Sequence, residues 1–447
     1  MVKLWKSFAL FLIVFCGCAE DQPALNTAAI AVAHPIVSED IQHFWQAYDQ
    51  VFATNDTLIQ HEIIQTIFID SASAGQQRMM LARNYSVEDY LKSMKEHRSF
   101  WNSVRSTTQE LQGFNAEIRK GVEAFRAIYP QLSTATVYYT MGTHRSPGTG
   151  VDSLVMIGTE FALGKSTTET SRLPEHLQSY YDINPVDHFK FLVIHEYVHT
   201  QQKGMVHNLL SLALYEGIAD FVAEKVTGES SPFDAFTFGA KNGDLLRERF
   251  EADMFRPNIV YNWLWNSANN EFGTRDLGYF IGFSIAEGYY NQAKEKGKAL
   301  AELIELEYED EDQVEALVDA SGYFSVSLDS LYSNYETSRP IVTKVEGIEN
   351  LSLSVSPGRK TITLHFSEPM NTETRGFDFG PLGEAHVMRV EKVIGFSQDS
   401  TSFSFEVELA ANQHYQSLVT NRFMSGKGLP MKAFLLDVET GAKETKE

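Results

Sequence analysis

The sequence is organised around the stretch Phe191–His199, which reads FLVIHEYVH. Its first four residues are apolar, as expected of a buried helix, and two histidines follow four residues apart. That spacing places the imidazoles of His195 and His199 one turn apart on one helix face, which suits two ligands of a single zinc ion. Glu196 lies beside them, where its carboxylate can reach a metal-bound water and act as a general base. A helix with two unrelated histidines is the alternative interpretation.

A second segment, Leu214–Phe221, reads LYEGIADF. Its Glu216 comes seventeen residues after His199, which leaves room for a turn and a second helix that runs back past the first. A zinc site with an open position needs a third protein ligand, and Glu216 fits that role. Asp220 lies one turn further on and can accept a hydrogen bond from a ligand histidine, which fixes its tautomer. The alternative is an exposed Glu216, with Asp220 or Glu224 as the ligand.

Together the two motifs resemble those of the gluzincins, the thermolysin-like metallopeptidases, in which HExxH is followed by Glu-x-x-x-Asp. The spacing and the tail Thr200–Gln202 resemble, more narrowly, a family of predicted zinc-dependent proteases, over about residues 130–295. The resemblance implies one zinc ion per chain and a peptide or protein as the substrate. It implies the zinc ligands His195, His199 and Glu216, the base Glu196 and the orienting residue Asp220.

Two further roles would complete such a site. Peptidases of this kind bind the substrate as an added strand at the edge of a small sheet, and Val151–Phe161 can supply that edge. An ordinary core strand is the alternative for this segment. The oxyanion needs a donor besides zinc, and Tyr279, in a later helix, is the candidate catalytic residue. A packed tyrosine without a chemical role is the alternative, and His144 and His207 are further candidates.

The N-terminus carries an export signal. Two lysines precede the apolar run Phe8–Phe15, which is too short to cross a bilayer as a helix. The following Phe15–Cys18, FCGC, resembles a bacterial lipobox, which implies a lipid on Cys18; an ordinary signal peptide is the alternative. We therefore predict a lipoprotein signal peptide at 1–17, a tether at 18–37, and attachment to a membrane of the bacterial cell envelope, at the outer membrane or the cell surface.

The sequence of the remaining chain predicts an α+β fold with two parts. We expect residues 38–337 to form a mainly helical, zincin-like metallopeptidase domain with a small sheet. Within this domain, the N-terminal part 38–132 is expected to contain helices alone. The segments Ala135–Tyr139 and Ser153–Gly158 read as strands of that sheet, and Gly142–Gly150 reads as a loop between them.

The sequence pattern of residues 338–447 is typical of an all-β structure. The segments Thr361–Phe366 and Ser402–Val407 alternate strictly between polar and apolar residues, which predicts half-buried strands. The segment Ile362–Met370 resembles a bacterial Ig-like domain family in which a strand ends in the turn FSEPM. The resemblance implies an Ig-like β-sandwich in this part of the chain.

Composition excludes several function classes. The chain has 447 residues and a formal net charge of −22, which argues against nucleic acid as a partner. The two cysteines, Cys16 and Cys18, both precede the folded part. A disulfide, a cysteine metal site and a thiol nucleophile are therefore excluded there.

Three functions are compatible with these sequence features. The first is a zinc metallopeptidase, an enzyme that hydrolyses peptide bonds outside the cytoplasm. The second is a catalytically silent surface or motility-type binding lipoprotein that retains the peptidase fold, because some cell-surface motility lipoproteins resemble this protease family loosely. The third is an adhesin that acts through its Ig-like part. The presence of Glu196 beside a complete ligand set favours the first, because a silent protein has no chemical need for it.

Overall fold

The computed structural model describes residues 35–266 and 270–442. The chain is mainly helical up to Ser338 and forms strands beyond it, so the predicted α+β class is confirmed. Within the described residues the α-helices are α1 (Glu39–Val51), α2 (Thr57–Ile63), α3 (Ala74–Arg83), α4 (Val87–Glu96), α5 (Arg98–Gln109), α6 (Gln112–Ile128), α7 (Thr159–Ala162), α8 (Glu175–Asp182), α9 (Phe189–His199), α10 (Leu209–Thr227), α11 (Asp234–Asp253), α12 (Val260–Trp263), α13 (Leu277–Gln292), α14 (Lys296–Ile304), α15 (Glu311–Ser321) and α16 (Leu328–Ser338). The strands are β1 (Ile36–Val37), β2 (Thr136–Thr140), β3 (Gly148–Val151), β4 (Leu154–Gly158), β5 (Val342–Glu346), β6 (Gly358–Phe366), β7 (Phe377–Asp378), β8 (Val390–Phe396), β9 (Ser402–Leu409), β10 (His414–Val419) and β11 (Phe434–Glu439).

The N-terminal helices are stabilised by capping side chains at their starts and by apolar stripes that pack into the core. Asp56 caps α2 by accepting the Leu58 N–H at 2.9 Å, and Ser86 and Asp89 form a reciprocal capping box at the start of α4. The apolar stripe of Ile41–Tyr48 on α1 lies in the core, as its spacing predicts.

A four-stranded sheet in the order β1-β2-β4-β3 packs against α9. The strands β2 and β4, both predicted from the sequence, run parallel to each other. One end of the predicted tether is wrong, because Ile36 and Val37 form β1 and pair with Val137 and Tyr138 of β2. The predicted signal peptide, and the tether before residue 35, lie outside the described residues.

The edge of this sheet lies elsewhere than predicted. The sequence places it at Val151–Phe161, but β4 within that stretch is an inner strand, paired on both sides. The edge strands are β1 and β3, and most of β3, the one beside β4, falls in the predicted loop Gly142–Gly150. Its glycines, Gly148 and Gly150, let the backbone approach α9 closely, and they also remove the alternating pattern by which a strand is recognised.

The buried helices α10 and α13 cross at two glycines. A Cβ atom on Gly217 would overlap the backbone of Phe283, and one on Gly282 would overlap the carbonyl of Ala213. Because backbone atoms cannot rotate away, the crossing distance requires glycine at both positions. The crossing fixes the position of Glu216, the residue before Gly217.

Strands β5 to β11 form two sheets around a core of their own. The sheets have the orders β5-β6-β9-β8 and β11-β10-β7, and side chains from both sheets form one apolar cluster. In β6 the apolar positions of the predicted alternation, from Ile362 to Phe366, are buried and the polar ones are not. At the junction, Arg339 donates hydrogen bonds to the carbonyls of Pro430 and Met431 at 3.0 and 2.9 Å.

Candidate metal centre

Two antiparallel helices carry the candidate ligands. Helix α9 is buried from Val193 to His199, as its apolar sequence predicts. Helix α10 starts where the side chain of Asn208 accepts the Ser211 N–H at 2.9 Å. Because α10 runs back along α9, its successive turns face the two histidines of α9.

Three side chains of these helices converge on one point. The Nε2 atoms of His195 and His199 are 3.0 Å apart, and Glu216 Oε2 lies 3.4 Å from the first and 3.2 Å from the second. A tetrahedral zinc ion with bonds of about 2.0–2.2 Å holds its ligands about 3.3–3.6 Å apart, and the shorter two of the observed distances lie a few tenths of an ångström below this range. Among the described residues, this is the cluster of three or more histidine or acidic side chains whose spacing suits a metal ion.

The other ring nitrogen of each histidine has an acceptor. His195 Nδ1 donates to Asp220 Oδ1 at 2.6 Å, and His199 Nδ1 donates to Gln202 Oε1 at 2.7 Å. The amide of Gln202 is oriented by its Nε2, which donates to the Tyr215 carbonyl at 2.9 Å. Asp220 therefore lies where the sequence predicts, whereas Gln202 is a contact that the sequence analysis missed. Its position three residues after His199, on the next turn of chain, was the available signal.

These hydrogen bonds determine which ring nitrogens face the centre. Because Asp220 and Gln202 accept the Nδ1 protons, neutral imidazoles present Nε2 lone pairs to each other and to the Glu216 carboxylate. Three electron pairs at this spacing repel one another unless a cation lies between them, either a proton on one ring nitrogen or a metal ion. Two nitrogens and one oxygen form a donor set that zinc prefers, so the residues present fit the ion.

The charges of the centre shift the pKa values of its groups. Burial raises the pKa of Glu216, but the neighbouring His199 and His195 outweigh burial and hold that pKa well below its ordinary range. Burial lowers the pKa of His195, but Asp220 and Glu216 outweigh it and raise the pKa well above its ordinary value. Burial also raises the pKa of Glu196, against the opposing effect of the two histidines. The surroundings thus favour a positive charge at the convergence point.

Aromatic side chains hold the two imidazole rings. The ring of Tyr215 stacks on His199 with centroids 4.4 Å apart, and the ring of Tyr279 lies 6.2 Å from that of His195. The Tyr279 hydroxyl accepts the indole N–H of Trp265 at 3.3 Å. Tyr279 thus lies beside the centre, and its role as an oxyanion donor stays a prediction.

Strand β3 covers Glu196. A Cβ atom on Gly148 would overlap Glu196 Oε1, and one on Gly150 would overlap the Glu196 carbonyl. On its outer edge, Arg83 of α3 donates hydrogen bonds to the Gly148 carbonyl at 3.3 Å and to the Thr149 hydroxyl at 2.5 Å. The part of the sheet edge nearest to Glu196 is therefore occupied by an arginine side chain.

The remaining candidates lie apart from the centre. His144 packs among aromatic rings, 4.5 Å from that of Phe100, and burial lowers its pKa to about 3. His207 is exposed on the turn before α10. Glu224 faces Lys225 at 3.7 Å, and of the three acidic residues considered it is Glu216 that lies within the cluster with both histidines.

Burial raises the pKa of Glu160, in α7, to about 7, against the lowering effect of the Gly142 N–H at 3.0 Å. Between its ordinary value of 4.5 and about 7, the folded protein keeps a proton that the unfolded chain releases, so stability present at low pH is lost as pH rises. We expect Glu160→Gln to raise the free energy of unfolding by about 3 kcal/mol at pH 8 and to leave it unchanged at pH 4. Urea unfolding at both pH values tests this, with the exposed Glu123→Gln as control. A gain of the same size at pH 4 would contradict it.

Comparison with protein families identifies the group to which the chain is related. Residues 27–323 match the family of lipoproteins described as "Gliding motility protein GldB". The chain belongs to the GldB family. The matched range contains every residue of the candidate metal centre and ends before the C-terminal sheets.

GldB membership overturns the predicted family and function. The expected membership of the gluzincin or predicted zinc-dependent protease family is wrong, and so is the expected metallopeptidase function of Glu196 and its neighbours. The physical reason is that HExxH and Glu-x-x-x-Asp specify where ligands lie on two helices, and such a geometry does not itself determine the chemistry. The motility-type alternative weighed from the sequence agrees better with the family.

Other comparisons add little. Comparison with curated proteins found no significant match. Among solved structures, the chain aligns with the S-layer protein rSbsC(31-844) at 10% identity and a TM-score of 0.18. The alignment covers 91% of this chain and 46% of that one, so this chain spans less than half the length of that protein. A TM-score of this size does not indicate a shared fold.

The GldB family is one of lipoproteins, which agrees with the predicted location in the cell envelope. In the part of the chain that the structure describes, no helix combines the length and the apolar character needed to cross a membrane. The predicted lipidation site, Cys18, lies outside that part.

Proposed function

We propose that this protein serves gliding motility as a zinc-binding envelope lipoprotein that acts by binding or assembly. The observation that carries this proposal is the family match over residues 27–323, which includes the helical part of the chain and its candidate centre. The lipid on Cys18 would hold the protein at the outer membrane or the cell surface.

The zinc ion would be held by His195, His199 and Glu216. Zinc supplies a redox-inert charge that joins α9 to α10 and, where a coordination position is open, can bind an oxygen or nitrogen of a partner. The chain's own residues do the positioning: Asp220 and Gln202 orient the rings, and the crossing at Gly217 fixes Glu216.

A binding role is supported by what lies around Glu196. An extended peptide would need the open edge of β3 to add itself as a strand. At Gly148 the outward carbonyl already accepts a hydrogen bond from Arg83, and Glu196 lies beneath the backbone of the same strand. These contacts oppose the pose that peptide hydrolysis would require.

The finer architecture is part of the proposal. We infer that 38–337 adopts a zincin-like arrangement, because a small mixed sheet lies over a helix with both histidines. We infer that 338–447 is an Ig-like sandwich, because its two sheets share one apolar core. Its role would be that of a spacer or docking module.

The test uses a gliding bacterium that lacks its own member of the family. The wild-type chain should restore colony spreading, and Glu216→Ala, which removes a ligand, should not. Glu196→Gln keeps the ligands and removes the general base, so it should restore spreading as the wild type does. Immunoblots confirm equal amounts of each protein. Loss of spreading in Glu196→Gln with zinc retained would show that the centre works by chemistry and not by binding.

A further inference from the structure

A small apolar slot lies outside the metal centre. It is bounded by the start of α10, the turn after α11, and helices α15 and α16, and its volume is about 60 Å³. A cavity of this size holds about five waters, or the end of one amino-acid side chain. The slot is thus too small for a drug-sized ligand but is suited to a single anchoring side chain.

The floor of the slot is apolar and its rim is acidic. Leu210, Val314 and Tyr308 are buried at the floor, and the ring of Tyr332 packs edge-on against Phe255 at one wall with centroids 5.3 Å apart. The carboxylates at the rim belong to Glu311, Glu315 and Asp329. The slot therefore offers an aliphatic and aromatic lining below a ring of negative charge.

Two of these carboxylates, Glu311 and Asp329, have no ion pair within the described part of the chain. No lysine or arginine of residues 35–266 or 270–442 forms an ion pair with Glu311 or Asp329. The run of four acidic residues at 309–312 extends the negative surface, and the whole chain has a net charge of −22. A surface of this kind repels anionic partners and attracts cationic ones.

We propose that the slot docks a basic segment of a partner protein, which lays one arginine or lysine side chain across the slot. The aliphatic stem would lie over Leu210, Val314 and Tyr308, and the charged end would reach Glu311 and Asp329 at the rim. The face of Tyr332 would add a cation–π contact. Flanking apolar residues of the segment would cover the rest of the slot. An anionic lipid or an acidic peptide does not fit this charge pattern.

The contacts of Tyr308 connect the slot to the metal centre. Tyr308 forms its floor, and its hydroxyl accepts the Gln202 side-chain N–H at 3.4 Å; Gln202 in turn holds His199. The ring of Tyr308 packs against Tyr215, which stacks on His199. The proposal depends on the lining of the slot alone and does not require a metal, so it can fail independently of the proposed function.

The test measures fluorescence anisotropy with the labelled peptide Gly-Leu-Arg-Leu-Arg-Leu-Gly and the full chain as purified. Two matched peptides replace arginine with glutamate, or leucine with serine. We expect the first peptide to bind at least about tenfold more tightly than either control, because the slot needs both the charge and the apolar contact.

Variants locate the binding on the surface. The double variant Glu311→Gln, Asp329→Asn should weaken binding about tenfold. Glu309→Gln, Asp312→Asn removes the same charge outside the slot and should change binding less than about twofold. Thermal melts confirm that both variants are folded. Equal losses in the two variants, or equal binding of the serine peptide, would mean diffuse attraction to an acidic surface and would overturn the proposal.

Discussion

Removal of zinc is expected to lower the free energy of unfolding by about 4 kcal/mol, relative to the protein at free zinc a thousandfold above its dissociation constant. The physical reason is that an ion bound by side chains of α9 and α10 binds the folded arrangement and not the unfolded chain. The distances of 3.0–3.4 Å between the three candidate ligand atoms exist only when the two helices are packed together. Urea unfolding with and without a zinc chelator measures the difference.

Two variants provide the matched controls for this effect. Glu216→Ala removes a ligand, so its unfolding should no longer depend on zinc. Glu196→Gln keeps all three ligands, so its zinc dependence should match that of the wild type. Zinc-dependent stability of equal size in Glu216→Ala would show that the ion binds elsewhere.

The second large effect on stability is expected from a substitution at the crossing of α10 and α13. We expect Gly217→Ala to lower the free energy of unfolding by about 3 kcal/mol and to weaken zinc binding. The new methyl group would overlap backbone atoms of Gly282 and Phe283, which cannot move without separating the helices. Separation also displaces Glu216, which precedes the substituted residue.

Gly297→Ala is the control for helix propensity. Gly297 lies in α14, and a Cβ atom there would have no neighbour within 4 Å. This substitution should therefore stabilise the protein slightly, by up to about 1 kcal/mol, because alanine favours the helix over glycine. If Gly217→Ala were as stable as Gly297→Ala, the close crossing would not exist in solution.

The sequence predicted those parts of the site that depend on regular spacing. His195 and His199 are four residues apart on one helix, as are Glu216 and Asp220 on the next, and the structure brings the two pairs together. Helical periodicity determines side-chain direction, so it could be inferred without a fold that each pair shares a helix face. The apolar stripe of α1 and the alternating strand β6 were predicted for the same reason.

The parts that were missed depend on contacts between distant segments. Strand β3 has the sequence GTGV, whose glycines reflect its approach to Glu196 and not a strand pattern. The contact between Gly217 and Gly282 joins helices sixty-five residues apart. The sequence signal available for the contact between Gly217 and Gly282 was the spacing of Gly278 and Gly282, which places both on one face of α13. The predicted peptidase function failed because ligand geometry alone does not specify a reaction.

X-ray absorption at the zinc edge, on the purified protein, tests the central claim most directly. We predict one zinc ion per chain, with two imidazole nitrogens and a carboxylate oxygen in its coordination shell at about 2.0–2.2 Å. The purified Glu216→Ala protein should contain little zinc and give little zinc-edge signal. A shell without imidazole, or a spectrum that Glu216→Ala leaves unchanged, would contradict the assignment of His195, His199 and Glu216 as the metal centre.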